Sequence, residues 1–219
     1  MEKTIEYIRS LIIEEDEGLD AFRKAQEDKG VPIIRKEVQQ LLSLLIALSG
    51  AQRILEIGGA EGYSAVCLAR AAGAQADITT IEIDEARVAA ARGNIETFGL
   101  KDNITVIADS AEGFFSHATE RGVYDMVFLD GPKSHYAEMF EDCLRLLKGG
   151  GMLIADNILY SGMVSGEAAT RKKHRTSVEG LKKYLNEITK DKRLITSVVN
   201  FEDGLSISYK KEVKNETQT

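Results

Sequence analysis

The segment 55–64, LEIGGAEGYS, decides the fold of this chain. It begins inside a short apolar run typical of a buried strand, Ile54–Ile57, and continues after three glycines into a helical pattern, about Tyr63–Ala72. A glycine-rich turn between a strand and a helix lets a ligand approach the backbone closely. The segment therefore predicts an α/β domain that binds a ligand at the end of its first strand.

The same alternation continues along the chain. Further short apolar runs predict four more strands, at Ile78–Ile83, Ile104–Ile107, Met126–Leu129 and Met152–Ala155. Helical patterns separate them, at about Glu85–Phe98, Ala111–Thr119 and Tyr136–Leu147. Because repeated strand–helix–strand units make right-handed crossovers, these strands are expected to form a parallel sheet.

The two ends of the chain complete the predicted fold. The first ~50 residues have apolar residues at helical spacing. A polar loop from Asn157 to about Arg175 precedes a helix, about Ser177–Thr189, and the runs Leu194–Val199 and Leu205–Tyr209 predict a hairpin. We predict a doubly wound, Rossmann-like α/β fold whose seven-stranded, mostly parallel sheet ends in an antiparallel hairpin. It would be one domain over residues 1–219, with a helical segment at 1–50 and a core at 51–219.

The glycine loop does not have the spacing of a dinucleotide site. Such a site needs glycines at the third and sixth places of G-x-G-x-x-G, where this chain has Ala60 and Tyr63. Glu56, two residues before Gly58, suits a cationic ligand better than a pyrophosphate. The sulfonium and ammonium groups of S-adenosylmethionine are such charges. A simple glycine-rich turn without a ligand is the alternative.

The next strand ends support an adenosine ligand. Glu82 ends the second strand, where a carboxylate can accept hydrogen bonds from both ribose hydroxyls. Ser110 and Ala111 follow the third strand, at a position that would flank an adenine ring. The glycine loop and Glu82 together predict S-adenosylmethionine as the cofactor.

The fourth and fifth strands end in side chains that carry oxygen. Asp130 follows the fourth strand, Asp156 and Asn157 follow the fifth, and Lys133 lies just beyond Asp130. Since parallel strands end at one edge of a sheet, these side chains are expected to lie close together. Hard oxygen ligands of this kind suit Mg²⁺. Taken singly, each Asp or Asn has an alternative explanation as a turn residue.

With these motifs the chain resembles the cation-dependent O-methyltransferases, which include catechol and caffeoyl-CoA methyltransferases. The matching residues are LEIGxxxGYSA at 55–65, Glu82, FLDxxK at 128–133, and Asp156 with Asn157. The resemblance implies a divalent cation, Mg²⁺ first, bound by Asp130, Asp156 and Asn157. Lys133 would be the catalytic base or an orienting charge, with Asp130 beside it. The predicted cofactor pocket consists of Ile34, Glu56, Gly58, Gly62, Ser64, Glu82, Ser110, Ala111 and Asp130.

The acceptor is the least determined part of the prediction. The chain has no Trp to stack on a small phenol, and a basic run, Arg171–Arg175, follows the fifth strand. This run, with Arg35 and Lys36, is either a solvated surface or a contact for an RNA backbone. Some bacterial members of the family are similar to tRNA 5-hydroxyuridine methyltransferases with a comparable basic loop. We therefore predict methylation of 5-hydroxyuridine in tRNA, with small catechol-like or phenolic acceptors as the alternative. The intact Asp130, Asp156, Asn157 and Lys133 argue against a non-catalytic nucleotide-binding module.

The composition limits the other possibilities. The 219 residues are 43% hydrophobic and carry a net charge of −7, whereas a general nucleic-acid binder is usually basic. Cys67 and Cys143 form no metal or redox motif and are expected to be buried free thiols. The sequence shows no signal-peptide core and no apolar run long enough for a membrane, so we expect a cytoplasmic protein. The family likeness and the apolar N-terminal helices predict a homodimer.

Overall fold

The computed structural model describes residues 2–13, 16–201 and 203–212. Contacts divide the chain into two compact units, Met1–His117 and Ala118–Thr219. The first unit contains three N-terminal helices followed by three strand–helix pairs. Its elements are α1 (Glu2–Leu11), α2 (Glu17–Lys29), α3 (Lys36–Ser49), β1 (Arg53–Ile57), α4 (Tyr63–Ala72), β2 (Asp77–Glu82), α5 (Glu85–Thr97), β3 (Ile104–Ala108) and α6 (Ala111–His117).

Local sequence signals place the N-terminal helices. The Asp16 side chain accepts a hydrogen bond from Leu19 N at the start of α2, and Gly30 ends that helix in the left-handed region. Helix α1 is attached to α3 by a bidentate ion pair, in which Arg9 donates to both carboxylate oxygens of Glu37 at 2.8 Å. In the same unit β1 pairs with β2, and β2 with β3, all in parallel.

The second unit contains the remaining four strands and two long helices. Its elements are β4 (Tyr124–Leu129), α7 (Tyr136–Leu146), β5 (Leu147–Asp156), α8 (Arg175–Lys190), β6 (Leu194–Val199) and β7 (Leu205–Lys210). Single 3-10 turns, Lys133–His135 and Lys172–His174, precede α7 and α8. Strand β4 pairs in parallel with β5, whereas β7 is antiparallel to both β5 and β6.

The predicted fold class is confirmed. The seven strands belong to one mixed sheet in the order β3-β2-β1-β4-β5-β7-β6, and the C-terminal hairpin is present. Cys67 and Cys143 are both buried, as expected. Within the described residues, no helix combines the length and the apolar character needed to cross a membrane.

Most element boundaries lie within two residues of the predicted ones, and two of the differences have a physical explanation. Strand β5 begins at Leu147 rather than Met152, because the glycines continue the strand instead of turning. A Cβ on Gly151 would lie 2.8 Å from the Asp125 carbonyl oxygen, so glycine is needed for this approach to β4. Helix α8 begins at Arg175 rather than Ser177, directly after the 3-10 turn. Its first apolar core residue is Val178, so the polar first turn left no periodic signal.

Candidate cofactor and metal sites

The glycine loop after β1 lies directly against β2. Gly58 N and Gly59 N both donate to the Ile81 carbonyl oxygen, at 2.9 and 3.1 Å. A Cβ on Gly59 would lie 2.1 Å from Thr80 Oγ1, so no other residue fits there without a rearrangement. The same Thr80 hydroxyl donates to the fully buried Glu56 carboxylate at 2.6 Å. Thr80 therefore fixes both the predicted Glu56 and the loop, a role that sequence reasoning missed.

The second half of the loop is fitted to α5. Gly62 has φ +88, and a Cβ there would lie 3.3 Å from the Ala91 backbone. Glycine allows both the left-handed backbone conformation and the close approach to Ala91. Gly62 is also the N-cap residue of α4, two positions before Ser64, which is buried. Ile34, from the predicted pocket, is buried in the segment that leads into α3.

Glu82 connects the end of β2 to the glycine loop. Its Oε2 accepts from Ala60 N at 3.0 Å, and its Oε1 accepts from Ile83 N and Asp84 N, both at 2.9 Å. A carboxylate has about four acceptor positions, so three are already used and about one is left for a ribose hydroxyl. Glu82 thus organises the loop in addition to its predicted role toward the cofactor.

The end of β3 lies beside the end of β2. Asp109 N donates to the Glu82 carbonyl oxygen at 3.1 Å. Ser110 Oγ accepts from Gly113 N at 2.9 Å and so occupies the start of α6, of which Ala111 is the first residue. In the first unit, backbone hydrogen bonds therefore bring the predicted glycine loop, Glu82 and Ser110 to neighbouring strand ends.

In the second unit, Lys133 is held by two partners. Its Nζ donates to Asp130 Oδ1 at 2.7 Å and to the Tyr136 hydroxyl at 3.0 Å. The Lys133 side chain is only 13% exposed, so the ammonium group has little freedom to leave these partners. Burial raises the pKa of Tyr136 well above its usual value, with Asp130 and Asp156 adding to the effect, so the phenol stays neutral.

Asp156 is a buried carboxylate at the end of β5. It is 4% exposed, and its Oδ1 accepts from Asn157 N at 2.7 Å. Burial, followed by repulsion from Asp130, raises its pKa to about 7, although the charge of Lys133 acts in the opposite direction. Asp130 and Asp156 have little exposure to solvent and repel each other when both are ionised, so a bound cation would stabilise them. The residues therefore fit the predicted metal.

Asn157 directly follows Asp156 in the chain. It adopts φ 56, a left-handed conformation that Asn tolerates better than most residues. The described residues contain no cluster of three or more His, Cys, Asp or Glu side chains that could hold a metal. The predicted set differs in composition, because it consists of two carboxylates and one amide.

The loop after Asn157 is strained and is held by the C-terminal hairpin. Tyr160 and Ser161 also have positive φ, 48 and 53. Ser161 N donates to Asp203 Oδ1 at 2.8 Å, and Leu159 N donates to the Asp203 carbonyl oxygen at 2.6 Å. Asp203 was not predicted from the sequence, although its negative charge also contributes to the raised pKa of Asp156.

The basic turn, defined as residues 171–175, lies at the start of α8. Four of its side chains are exposed, namely Arg171, Lys172, Lys173 and Arg175. His174 differs, because its Nδ1 lies 3.0 Å from the Tyr160 hydroxyl of the strained loop. Arg35 and Lys36 belong to the first unit, where Arg35 is exposed and Lys36 is paired with Asp20 at 3.8 Å.

Fold and site together define a Rossmann-like methyltransferase. A family model described as O-methyltransferase matches residues 10–211. A catechol O-methyltransferase of Niastella koreensis is 32% identical over 182 residues, covering 81% of this chain and 80% of that protein. The chain therefore belongs to the O-methyltransferase family, and it is an S-adenosylmethionine-dependent enzyme.

Solved structures agree with this assignment. A structure from Staphylococcus aureus, named as a candidate caffeoyl-CoA O-methyltransferase, has a TM-score of 0.87 and 31% identity, and covers 94% of this chain and 99% of that one. An O-methyltransferase of Bacillus cereus in complex with SAH has a TM-score of 0.82 at 24% identity, covering 95% of this chain and 97% of that one. The second likeness supports the fold alone.

Proposed function

We propose that this enzyme methylates a hydroxyl that stands next to a second oxygen on its acceptor, using a divalent cation. The observation that carries the proposal is the buried Asp156 carboxylate, which is destabilised by Asp130 and accompanied by Asn157 and Lys133. Asp130, Asp156 and Asn157 would hold the cation. When bound, a Mg²⁺ ion lowers the pKa of the acceptor hydroxyl and fixes its position.

The first unit supplies the methyl donor. The glycine loop allows the backbone to approach S-adenosylmethionine, and Glu82 offers its remaining acceptor position to a ribose hydroxyl. Ile34, Ser64, Ser110 and Ala111 are proposed to line the same pocket. The buried Glu56 contributes a negative charge that suits the cationic cofactor.

The reaction is an in-line displacement. The bond between the methyl carbon and sulfur breaks while the bond between that carbon and the acceptor oxygen forms, giving S-adenosylhomocysteine and a methyl ether. In its neutral form, Lys133 Nζ would accept the proton of the acceptor hydroxyl. In its ammonium form, Lys133 would orient the acceptor oxygens by its charge, and the proton would pass to solvent. Beyond this, catalysis needs chiefly the correct placement of the two reactants.

For the acceptor we propose 5-hydroxyuridine in tRNA. Its hydroxyl stands beside a ring carbonyl, so two adjacent oxygens are available. The four exposed cations of the basic turn suit a phosphate backbone, and a single-stranded anticodon loop can present a splayed base. The second candidate is a small catechol, supported by relatives that are named catechol O-methyltransferases, including one from Mycobacterium tuberculosis at 29% identity over 74% of each chain.

One variant separates the two acceptors. Replacing the four exposed residues of the basic turn by alanine should weaken tRNA binding and lower its logarithmic salt slope by up to about 3. Methylation of a free catechol and the affinity for S-adenosylmethionine should not change. The matched control replaces four other exposed lysines of the same unit by alanine, namely Lys182, Lys183, Lys190 and Lys192.

The outcome is read by mass spectrometry of tRNA nucleosides. Loss of 5-methoxyuridine in the basic-turn variant alone supports the tRNA acceptor. Equal tRNA methylation by the parent and both variants would leave the small catechol as the acceptor. The same measurement on tRNA from cells with and without the protein tests whether the enzyme methylates tRNA in the cell.

We also propose that residues 1–219 act as one methyltransferase domain and that the protein is a cytoplasmic homodimer. The support is the family membership together with the exposed apolar residues Tyr7 and Leu11 on α1 and Leu48 on α3. Sedimentation velocity checks the dimer, since the chain mass is 24.1 kDa and a dimer has twice that mass. A single species at the chain mass would contradict it.

A further inference from the structure

Tyr136 lies where the ends of two strands and the candidate catalytic lysine meet. The side chain is fully buried, and its hydroxyl is within hydrogen-bond distance of the carbonyl oxygens of Leu129, at 2.9 Å, and Asp156, at 3.3 Å. Leu129 is the last residue of β4 and Asp156 the last of β5. The single phenol proton is therefore used on these carbonyls, and an oxygen lone pair is left to accept from Lys133 Nζ at 3.0 Å.

Core packing explains the ring of Tyr136 but not its hydroxyl. The ring makes an edge contact with Tyr184 of α8 at 5.5 Å between centroids, and Phe140 makes a similar contact with Tyr184 at 6.2 Å. A phenylalanine at 136 would keep the ring contact. Only the oxygen reaches Lys133, and burying an oxygen is costly unless its partners are present.

The hydroxyl completes the orientation of the Lys133 ammonium group. Asp130 Oδ1 holds this group from one side at 2.7 Å, and the Tyr136 oxygen is the second acceptor. The same ammonium lies 5.4 Å from the centre of the Tyr136 ring and 3.0 Å from its oxygen, so it contacts the hydroxyl end of the ring. With Asp130 alone, the flexible lysine stem would allow several positions of Nζ.

We infer that Tyr136 is a positioning residue, whose hydroxyl holds Lys133 Nζ in place for methyl transfer by tying it to the ends of β4 and β5. The inference rests on the proposed function, since it needs Lys133 to act on the acceptor. It adds a residue that acts through Lys133 and touches neither the cofactor nor the acceptor.

The first test needs no acceptor. Full-length parent, Tyr136→Phe and Tyr184→Phe proteins are treated with formaldehyde and a borane, and mass spectrometry follows the labelling rate of Lys133 relative to the exposed Lys182. Tyr136→Phe should label Lys133 at least about threefold faster, because the amine has lost one of two hydrogen-bond partners. Tyr184→Phe, which also removes a buried phenol, should label like the parent.

The second test is kinetic. The probes are 3,4-dihydroxybenzoate and an anticodon stem-loop that contains 5-hydroxyuridine. Tyr136→Phe should lower kcat by about tenfold and leave both KM values within about twofold, since the loss of one hydrogen bond to a charged group corresponds to this range. In a Lys133→Ala background the same change should add no further loss, because Tyr136 acts only through Lys133.

The outcomes separate the inference from the proposed function. Equal Lys133 labelling in the parent and Tyr136→Phe, or an additive loss in the Lys133→Ala background, overturns the positioning role. An equal loss of kcat in Tyr184→Phe also overturns it, since any buried phenol would then have the same effect. Faster labelling combined with no methyl transfer by the parent to either probe supports the positioning role and refutes the proposed function.

Discussion

Single side chains in this protein carry more than one task, and Glu82 shows this most clearly. Its position at the end of β2 was predicted from the sequence, together with its role toward a ribose. Its three hydrogen bonds to the backbone of Ala60, Ile83 and Asp84 were not predicted. They depend on the path of the glycine loop in space, which no spacing along the chain reveals. Loss of Glu82 would therefore remove both the proposed contact with the cofactor and the support of the loop.

Glu82→Ala should weaken S-adenosylmethionine binding by about 1–3 kcal/mol. The carboxylate would lose its charge-assisted hydrogen bonds to the ribose and to the backbone of the glycine loop. Calorimetric titration measures this. The matched control is Asp84→Ala, which removes a neighbouring carboxylate that caps α5 through Ala86 N and Arg87 N. If both variants bind the cofactor as the parent does, Glu82 has no role in its binding.

Asp156→Asn should abolish turnover while S-adenosylmethionine still binds, and an excess of EDTA should do the same to the parent. In EDTA the variant should also be more stable at pH 8, by on the order of 1–3 kcal/mol. A carboxyl whose pKa is raised to about 7 destabilises the folded state when it is ionised. This gain should vanish below pH 3.8, the usual pKa, where both states bind the proton.

Urea unfolding and initial rates measure these two effects. Asp142→Asn is the control, since Asp142 is paired with Arg145 on the exposed side of α7. Full activity of the parent in EDTA would contradict the cation, and an Asp156→Asn variant less stable than the parent at pH 8 would contradict the buried, repelled carboxylate.

Among the helices and strands, the close contact between α8 and the 3-10 turn that contains Lys133 could not be predicted from the sequence. A Cβ on Gly180 would lie 2.6 Å from the Ser134 carbonyl oxygen and 3.0 Å from Ser134 Cα. These are backbone atoms of the 3-10 turn Lys133–His135, so no side chain can move aside. A glycine inside a helix normally costs stability, and here its small size allows the two segments to meet.

Gly180→Ala should destabilise the protein by about 1–3 kcal/mol and lower kcat, because the turn that carries Lys133 must shift. The opposite is expected for Gly93→Ala in α5, where a Cβ has no neighbour within 4 Å. There alanine should stabilise the helix by about 0.5–1 kcal/mol. Thermal unfolding of both variants checks the two signs, and a stabilising effect at Gly180 would show that the packing is loose.

The elements themselves were largely predictable, since each signal was local. Helix α4 at Tyr63–Ala72 and strand β6 at Leu194–Val199 have the predicted bounds. The candidate site residues Asp130 and Asp156 were found because strand ends are easy to locate. Tyr136 was missed although it follows Lys133 by one helical turn, because it reads as an ordinary core aromatic. Thr80 becomes visible only with the strand register, which places it beside Glu56.

For the whole molecule, ion pairs near the N-terminus make the stability depend on pH. Burial alone would raise the pKa of Glu37, but hydrogen bonds from Arg9, a backbone hydrogen bond and the charges of Arg9 and Arg35 together outweigh burial and bring this pKa below its usual 4.5. A carboxyl with a lowered pKa stabilises the folded state above its usual pKa. This contribution is lost as the pH falls below about 4.5 and through the folded-state value.

Glu37→Gln should therefore destabilise the protein by about 1–3 kcal/mol at pH 7, where the Arg9 guanidinium loses a charged partner. The difference from the parent should shrink as the pH is lowered from 5 toward 3. Urea unfolding at a series of pH values measures it, and the exposed Glu138→Gln serves as the control. A difference that stays constant over this range would contradict the ion pair as its cause.

The clamp of Asp203 on the loop after Asn157 has a consequence for how the enzyme is made. Ser161 N is bound by Asp203, a residue 42 positions later in the chain. During translation, the glycine loop and the residues Asp130 and Asp156 leave the ribosome well before Asp203. The strained turn that follows Asn157 can be fixed by Asp203 only after this residue has been synthesised. In a nascent chain, the loop after Asn157 is therefore expected to be fixed last. Translation that stops before Asp203 yields a protein in which this loop is not held in place.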